Sequence, residues 1–215
     1  DWSSDVCSSD LSREIRSHRL VTSPLQKFPQ AIRRYRHYLP LMPWAIERLD
    51  LSGYDLVISS SHCVAKGVRK GDGARHVSYV HAPMRYIWDR YDDYFGPGRA
   101  SLPVRLAARV LRPHLQRWDV RTSQPGPHGV DSWVANSAFI AARMKQFWGV
   151  DARVIHPFAD LSRFDRPRTG GRSYVMIGAF APYKRVDLAV EAFNRLKLPL
   201  LIIGGGQDEI GRAHV

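Results

Sequence analysis

The sequence predicts an α/β protein built on parallel sheets, on three observations. Short apolar runs alternate with amphipathic helical patterns along most of the 215 residues. Residues 174–203 read as strand, helix, strand, the unit that gives a parallel pair with a right-handed crossover. Each predicted strand ends in residues that stop a ladder or cap a helix, and ligands of open parallel sheets gather at those carboxyl ends.

In chain order, Lys27 to Leu49 is rich in Arg, Tyr and Pro and is expected to hold a short helix between proline breaks. Asp55 to Ser59 and Arg75 to Val80 are predicted strands, the second closed by His81-Ala82-Pro83. Between Leu102 and Trp118 the positions Val104, Ala107, Leu111, Leu115 and Trp118 mark one helix face, with a bend expected at Pro113. Gln124 to Gly129 is a loop, Ser132 to Ala135 a strand, Ala138 to Phe147 a helix and Ala152 to Ile155 a strand. Tyr174 to Ile177 is a further strand. Val186, Ala189, Val190 and Phe193, at i, i+3, i+4 and i+7, form the face of the next helix, and Leu198 to Ile203 is the last strand before Gly204-Gly205-Gly206.

The most informative stretch is Gly178 to Phe193, which joins a strand to a helix through a turn bearing Lys184 and Arg185. Pro182 suits a helix start, where free backbone N–H groups and the dipole favour an anion, so the turn is a place to hold a phosphate. Two cations at a helix start are equally what a solvated surface carries. Asn136-Ser137 stands at another strand-to-helix turn and is expected chiefly to cap the helix from Ala138.

Several motifs, in order, resemble glycosyltransferase family 4 of the GT-B fold, and within it the mannosyltransferase-like branch. They are Tyr54 to His62, Val80 to Asp89, Val134 to Ser137 with Phe139-Ile140-Ala141, Val154 to Asp160, and Gly178 to Phe193. The resemblance runs from about Lys27 to Asp208 and implies a Rossmann-like first domain over 12–160, a linker over 161–171 and the start of a nucleotide-sugar-binding domain over 172–208. It implies that Lys184 touches the donor diphosphate, helped by Arg185 and the backbone at Gly178, and that His81 approaches the donor from the first domain. Arg85, Asn136 and Ser137 are weaker candidates for the substrate pocket. The family commonly carries Arg where this chain has Ala179, which leaves the diphosphate one cation short unless Arg185 substitutes.

The same resemblance implies retaining hexosyl transfer from a nucleotide-sugar, GDP-mannose by branch, to a glycan or lipid-linked saccharide in surface polysaccharide assembly. No metal and no other cofactor are expected. A cytoplasmic location is expected because one cysteine, Cys63, remains outside the terminal segments and fits a reducing compartment, and the lipid-linked acceptors of the family add a peripheral position on the inner face of the membrane. Arg105, Arg109 and Arg112 recur on one predicted helix face, which fits either anionic lipid or plain solvation. A non-catalytic nucleotide- or sugar-binding component of an assembly complex is the alternative. Nucleic acid is not an expected partner, because no binding module is present despite a formal charge of +12.

Other chemistries lack their residues. Asp89, Asp92 and Asp93 invite a hydrolase reading, but nothing in their spacing sets two carboxylates across one bond. No H-E-x-x-H spacing and no G-x-S-x-G elbow occurs.

Residues 1–11 and 209–215 can be back-translated so that one is the reverse complement of the other: Asp5 to Asp10 as GAC GTG TGC TCT TCC GAT reads back as the codons of Ile210 to Val215. Both ends are therefore expected to be translated sequencing adapter, which the source DNA would show, and to stand outside the fold. Without Asp1, Asp5 and Asp10, and with Glu209 and Arg212 cancelling, the formal charge rises from +12 to +15. Cys63 is then the remaining cysteine, so no internal disulfide forms. The expectation is an internal piece of a longer protein, lacking a first glycine-rich loop and a later pair of glutamates, and inactive by itself.

Overall fold

A computed structural model describes residues 15, 17–31, 35–126, 129–159, 161–164, 170–178, 180 and 184–205. The chain separates into two compact units, dividing between Phe158 and Ala159.

The first unit has four strands, β1 (Leu56–Ser61), β2 (Arg75–Val80), β3 (Ser132–Ala135) and β4 (Arg153–Val154), in the order β1-β2-β3-β4. All neighbours are parallel, with Val57 beside His76, Val80 beside Ala135 and Ala135 beside Val154. A short helix α1 (Met42–Ile46) precedes β1; parallel strands require crossovers, and these supply α2 (Tyr91–Phe95) and α3 (Leu102–Arg121) between β2 and β3 and α4 (Ala138–Trp148) between β3 and β4. Short 3₁₀ turns occupy Pro24–Lys27, Tyr35–Leu41 and Ala65–Gly67. The mixed α/β architecture with a parallel sheet is the one the sequence predicts.

One face of the sheet carries the core. Val80, Ala135, Ile140, Met144, Trp148 and Val150 form one buried cluster, and Met84, Ile87, Leu115 and Trp118 another, with Trp88 packed against both. Trp88 also stacks on Phe147, ring centroids 4.8 Å apart. β1 runs two residues past its predicted end, with Ser60 and Ser61 paired beside Tyr79 and Val80, and its serines are satisfied inside the sheet: Ser59 Oγ donates to Ser78 Oγ at 2.9 Å and lies 2.8 Å from His76 Nε2. Burial, then the charge of Lys70, pushes His76 down to about 4, so it is neutral near pH 7. The unfolded chain takes up that proton near pH 6.5, so the stability tied to neutral His76 is lost as pH falls from there toward about 4.

α3 departs from its predicted face in its first half. Leu115 and Trp118 are buried, but Val104 and Ala107 are exposed, as are Leu102, Leu106 and Val110. Arg112 corrects the expectation of three solvated arginines. Its guanidinium donates to the carbonyls of Ile87 (2.9 Å) and Trp88 (3.1 Å) and lies 4.3 Å from the centroid of the Tyr91 ring. Two adjacent loop carbonyls there, the first also bonded by Gln116, take a planar fork that a helix periodicity cannot anticipate.

The centre of this unit is polar. Lys66 and Asp119 are fully buried, Nζ 3.1 Å from Oδ1. Lys66 Nζ also donates to the Asp119 carbonyl (2.7 Å) and Thr122 Oγ1 (2.8 Å), and lies over the Trp118 and Trp148 rings. Asp119 Oδ2 accepts from the indole N–H groups of Trp88 and Trp148, each at 2.7 Å. Burying two charges costs several kcal/mol each, and this many donors and acceptors offset it. Gly67 belongs to the arrangement, since a Cβ there would lie 2.3 Å from the Trp118 ring.

In the second unit, β5 (Tyr174–Ile177) and β6 (Leu200–Ile203) pair in parallel, Tyr174 beside Leu200, and α5 (Val186–Leu196) connects them. A 3₁₀ turn spans Leu161–Phe164. The predicted helix face is the one turned inward: Val186, Ala189, Val190 and Phe193 are half-buried, and Phe193 meets Tyr174 edge-on at 5.1 Å. β6 starts two residues later than predicted because α5 closes on Lys197 in a left-handed conformation (φ 55, ψ 35) and Leu198 still bonds back to Phe193.

Asp119→Asn leaves Lys66 as an uncompensated buried charge and is expected to cost about 3–5 kcal/mol. Adding Lys66→Met to that variant recovers part of the loss. Urea unfolding of the parent, both single variants and the double variant checks this; strictly additive effects would contradict it.

Candidate functional site at the strand ends

Four parallel strands place four carboxyl ends along one edge, and the ladder carries one residue beyond each. His81 N–H donates to Ser61 O (2.8 Å), Asn136 N–H to Val80 O (3.2 Å) and Ile155 N–H to Ala135 O (3.0 Å). His62, His81 and Asn136 therefore directly follow β1, β2 and β3 at this edge, and His156 follows β4 by two residues.

Side chains tie this row together. His81 Nε2 lies 2.8 Å from Ser60 Oγ, and its ring meets Tyr79 edge-on at 5.3 Å. Asn136 Nδ2 donates to His81 O at 3.1 Å. Ser137 Oγ donates to Asn136 Oδ1 (3.0 Å) and accepts from Ile140 N–H (3.3 Å), so Ser137 is the cap of α4 while Asn136 is held by the residue it adjoins. His156 Nδ1 lies 3.2 Å from the Asn136 carbonyl. A carbonyl only accepts, so Nδ1 carries the proton in the neutral ring and Nε2 holds the lone pair.

Charge gathers here with one sign. Desolvation, followed by the charges of His81 and Arg85, holds the His62 imidazole below its ordinary value. The carboxylates in the following loop are engaged elsewhere: Asp89 pairs with Arg143 on α4, and Asp93 with Arg90. Asp89 and Asp93 are thus each paired with an arginine rather than set facing one another. Among the described residues, no group of three or more His, Cys, Asp or Glu side chains is placed to hold a metal ion. Cys63, next to His62, is pushed up to about 11 by burial and is a thiol rather than a nucleophile at neutral pH. At the opposite, amino ends of β2 and β3 lies a cavity of about 440 Å³ lined by Lys70, Arg75, Asp72 and Asp131, in which Lys70 and Asp131 neutralise each other.

In the second unit, Gly178 closes β5, its N–H donating to Ile203 O at 3.0 Å. Gly204 passes so near that a Cβ on it would meet the Gly178 carbonyl at 1.9 Å, which holds the two strand ends together without side chains. Ala179 and Pro182-Tyr183 lie outside the described residues. Lys184 is exposed just before α5. Arg185, left-handed at φ 50 and ψ 50, is the residue before the first helical turn and pairs with Asp187 through Nε at 3.0 and 3.1 Å and Nη2 at 3.0 Å. Its charge is thus shared with a neighbouring carboxylate.

Of the residues singled out from sequence, His81, Arg85, Asn136 and Ser137 belong to the first unit's strand-end region, and Gly178, Lys184 and Arg185 to the second unit. Sequence reasoning missed Ser60, His62, Tyr79 and His156. Counting one residue past the predicted strand 152–155 reaches His156, but the strand predicted over 55–59 stops too early for the same count to reach His62, which follows the longer observed β1.

The Glycosyltransferase Family 4 model matches residues 2–163. The chain belongs to glycosyltransferase family 4. No curated protein and no solved structure matches it. The parallel α/β architecture is consistent with the Rossmann-like GT-B fold of a glycosyltransferase, an enzyme that works between a sugar donor and an acceptor. In this glycosyltransferase the matched stretch contains the whole strand-end row, whereas Gly178, Lys184 and Arg185 lie beyond it.

An NMR titration of the ring signals is expected to place His62 below 6.5, and Arg85→Ala or His81→Asn to raise it by removing a like charge. A His62 that titrates at or above its ordinary value would contradict this electrostatic picture.

Proposed function

We propose that this glycosyltransferase transfers a mannosyl group from GDP-mannose, with retention at the anomeric carbon, to a glycan or lipid-linked saccharide in surface polysaccharide assembly. The observation that carries the reading is the fixed His81: an imidazole locked by Ser60 and by its own backbone bond to Asn136, at the sheet edge where α/β enzymes hold ligands.

The bond from the anomeric carbon to the diphosphate oxygen breaks with its electron pair on that oxygen. The acceptor hydroxyl oxygen bonds to the carbon, and its proton leaves with the diphosphate. Negative charge grows on the leaving group, so cations and backbone N–H groups aimed at it lower the barrier. Lys184, exposed ahead of α5, supplies such a cation, with Gly178 letting backbone approach. Arg185 contributes less than a full charge because Asp187 shares it. With these groups the proposed transfer runs without a metal ion. His81 contacts the sugar, and Arg85 lies beside the same edge. The donor is chosen by the likeness of Val80 to Asp89 and the other ordered motifs to the mannosyltransferase-like branch.

A cytoplasmic enzyme resting on the inner face of the membrane fits a lipid-linked acceptor. Among the described residues no helix is long and apolar enough to cross a membrane. The outer face of α3 suits the surface instead: Leu102, Leu106 and Val110 are 63%, 55% and 67% exposed, four residues apart, beside the exposed Arg109 and Arg117. Apolar residues in one row with cations alongside are what an interfacial helix presents to anionic lipid.

Calorimetric titration is expected to show GDP-mannose binding, UDP-glucose binding much more weakly, and Lys184→Ala weakening GDP-mannose about tenfold, the worth of one charge-assisted contact. Binding of UDP-glucose but not GDP-mannose would end the donor assignment. In flotation with phosphatidylglycerol vesicles, Leu106→Asp and Val110→Asp are each expected to lower the bound fraction; unchanged flotation would remove α3 from the membrane contact.

A further inference from the structure

We propose that a groove beside Trp88 on the first unit holds the hydrocarbon chain of an anionic membrane phospholipid, whose phosphate rests on Arg117. The proposal rests on the membrane reading of α3 for its setting, whereas the lining of the groove itself names the ligand.

The groove has a volume of about 430 Å³ and is lined by Trp88, Pro113, Gln116, Arg117, Val120 and Arg121. That lies within the ~300–1,000 Å³ of small-molecule sites, which combine apolar walls with a few polar groups. Trp88, Pro113 and Val120 supply the apolar wall here. At about 100° per residue, Leu106, Val110, Pro113, Arg117 and Val120 share one side of α3. The exposed row of Leu102, Leu106 and Val110 therefore runs into the groove, and a bilayer that meets the row meets the groove as well.

Both walls are fixed without a ligand. The half-buried Trp88 donates its indole N–H to Asp119 Oδ2 at 2.7 Å and stacks on Phe147 at 4.8 Å. Gln116 Nε2 donates to Ile87 O at 2.8 Å, and the Arg112 guanidinium takes the carbonyls of Ile87 and Trp88. These bonds tie α3 to the loop after β2, so the separation of the walls is set before anything binds, and little ordering opposes association. Water against Trp88 and Val120 finds few hydrogen-bond partners, and hydrocarbon displaces it favourably.

The cations decide the headgroup. Among the described residues that line the groove there is no carboxylate. Asp119, behind Trp88, is committed to Lys66 and two indoles. Arg117 is exposed, and so is Arg121 one turn later, whose charge is shared with Glu47 at 3.3 Å. An apolar wall bordered by guanidinium groups fits an amphiphile with a negative headgroup, and the planar fork of Arg117 matches two phosphate oxygens.

The test is an NMR titration of the full chain, read at the Val120 methyl signals, with dihexanoylphosphatidylglycerol kept below its micelle concentration. Saturable shifts are expected with this lipid. Dihexanoylphosphatidylcholine, which lacks net charge, and glycerol 3-phosphate, which lacks the chains, are each expected to bind at least about tenfold more weakly. Arg117→Gln and Pro113→Glu, both at exposed positions, are expected to weaken the anionic lipid about tenfold while leaving GDP-mannose affinity unchanged. Glycerol 3-phosphate binding as tightly as the lipid overturns the role of the chain, and phosphatidylcholine binding as tightly overturns the anionic headgroup. Shifts with geranyl diphosphate but not with the phospholipid assign the groove to an acceptor lipid and overturn the membrane-lipid assignment. Val120 signals that no ligand moves overturn the groove even where vesicle flotation depends on Leu106 and Val110, because the row alone can lie on a bilayer. Dimers in sedimentation that Pro113→Glu dissolves, together with that failure, make a second copy of the chain the occupant instead.

Discussion

The carboxylate of Asp119 reaches three parts of the first unit at once. Its two oxygens take the ammonium of Lys66, in the turn after β1, and the indoles of Trp88, in the loop after β2, and Trp148, at the end of α4. Those two loops carry His62 on one side and His81 with Arg85 on the other. An apolar contact would hold them with similar energy but tolerate sliding, because dispersion is weakly directional. Hydrogen bonds to a buried charge do not tolerate it, since each lost bond leaves a polar group without water. The strand-end row is thus positioned from beneath by a network that contains none of its members.

The polar interior extends this logic into the sheet. Ser59, Ser78 and His76 form a hydrogen-bonded patch where a parallel sheet usually packs Val and Ile, and His76 is kept neutral by its burial. Asp131 accepts from the His76 backbone at 2.7 Å and pairs with Lys70, closing the amino edge of β2 onto the start of β3. The amino edge of the sheet is therefore closed by an internal ion pair, whereas histidines follow the strands at the carboxyl edge.

In the first unit a histidine follows β2, held by Ser60 and Asn136. The second unit, taken by itself, has a glycine-closed strand end and an exposed lysine ahead of a helix. Arg185 shows how local pairing alters such a charge. A sequence displays two adjacent positive charges, but the left-handed backbone at Arg185 turns its guanidinium back onto Asp187, so the two cations are not equivalent.

Much of this was legible in the residues themselves. The strand and helix positions, the parallel arrangement, the inward face of α5 and the placement of His81 past β2 follow from periodicity, proline and glycine, because these act over a few residues of chain. Ser137 as a cap was legible for the same reason. The sequence left unmarked the Lys66–Asp119 pair, separated by more than fifty positions, and the convergence of His62 and His156 on the edge that holds His81. It also misassigned Arg112, whose partners are carbonyls of a distant loop. Periodicity determined which faces are apolar and where each strand ends; only the tertiary structure decided which charges meet, because desolvation and hydrogen bonding depend on neighbours that the chain brings together from far apart.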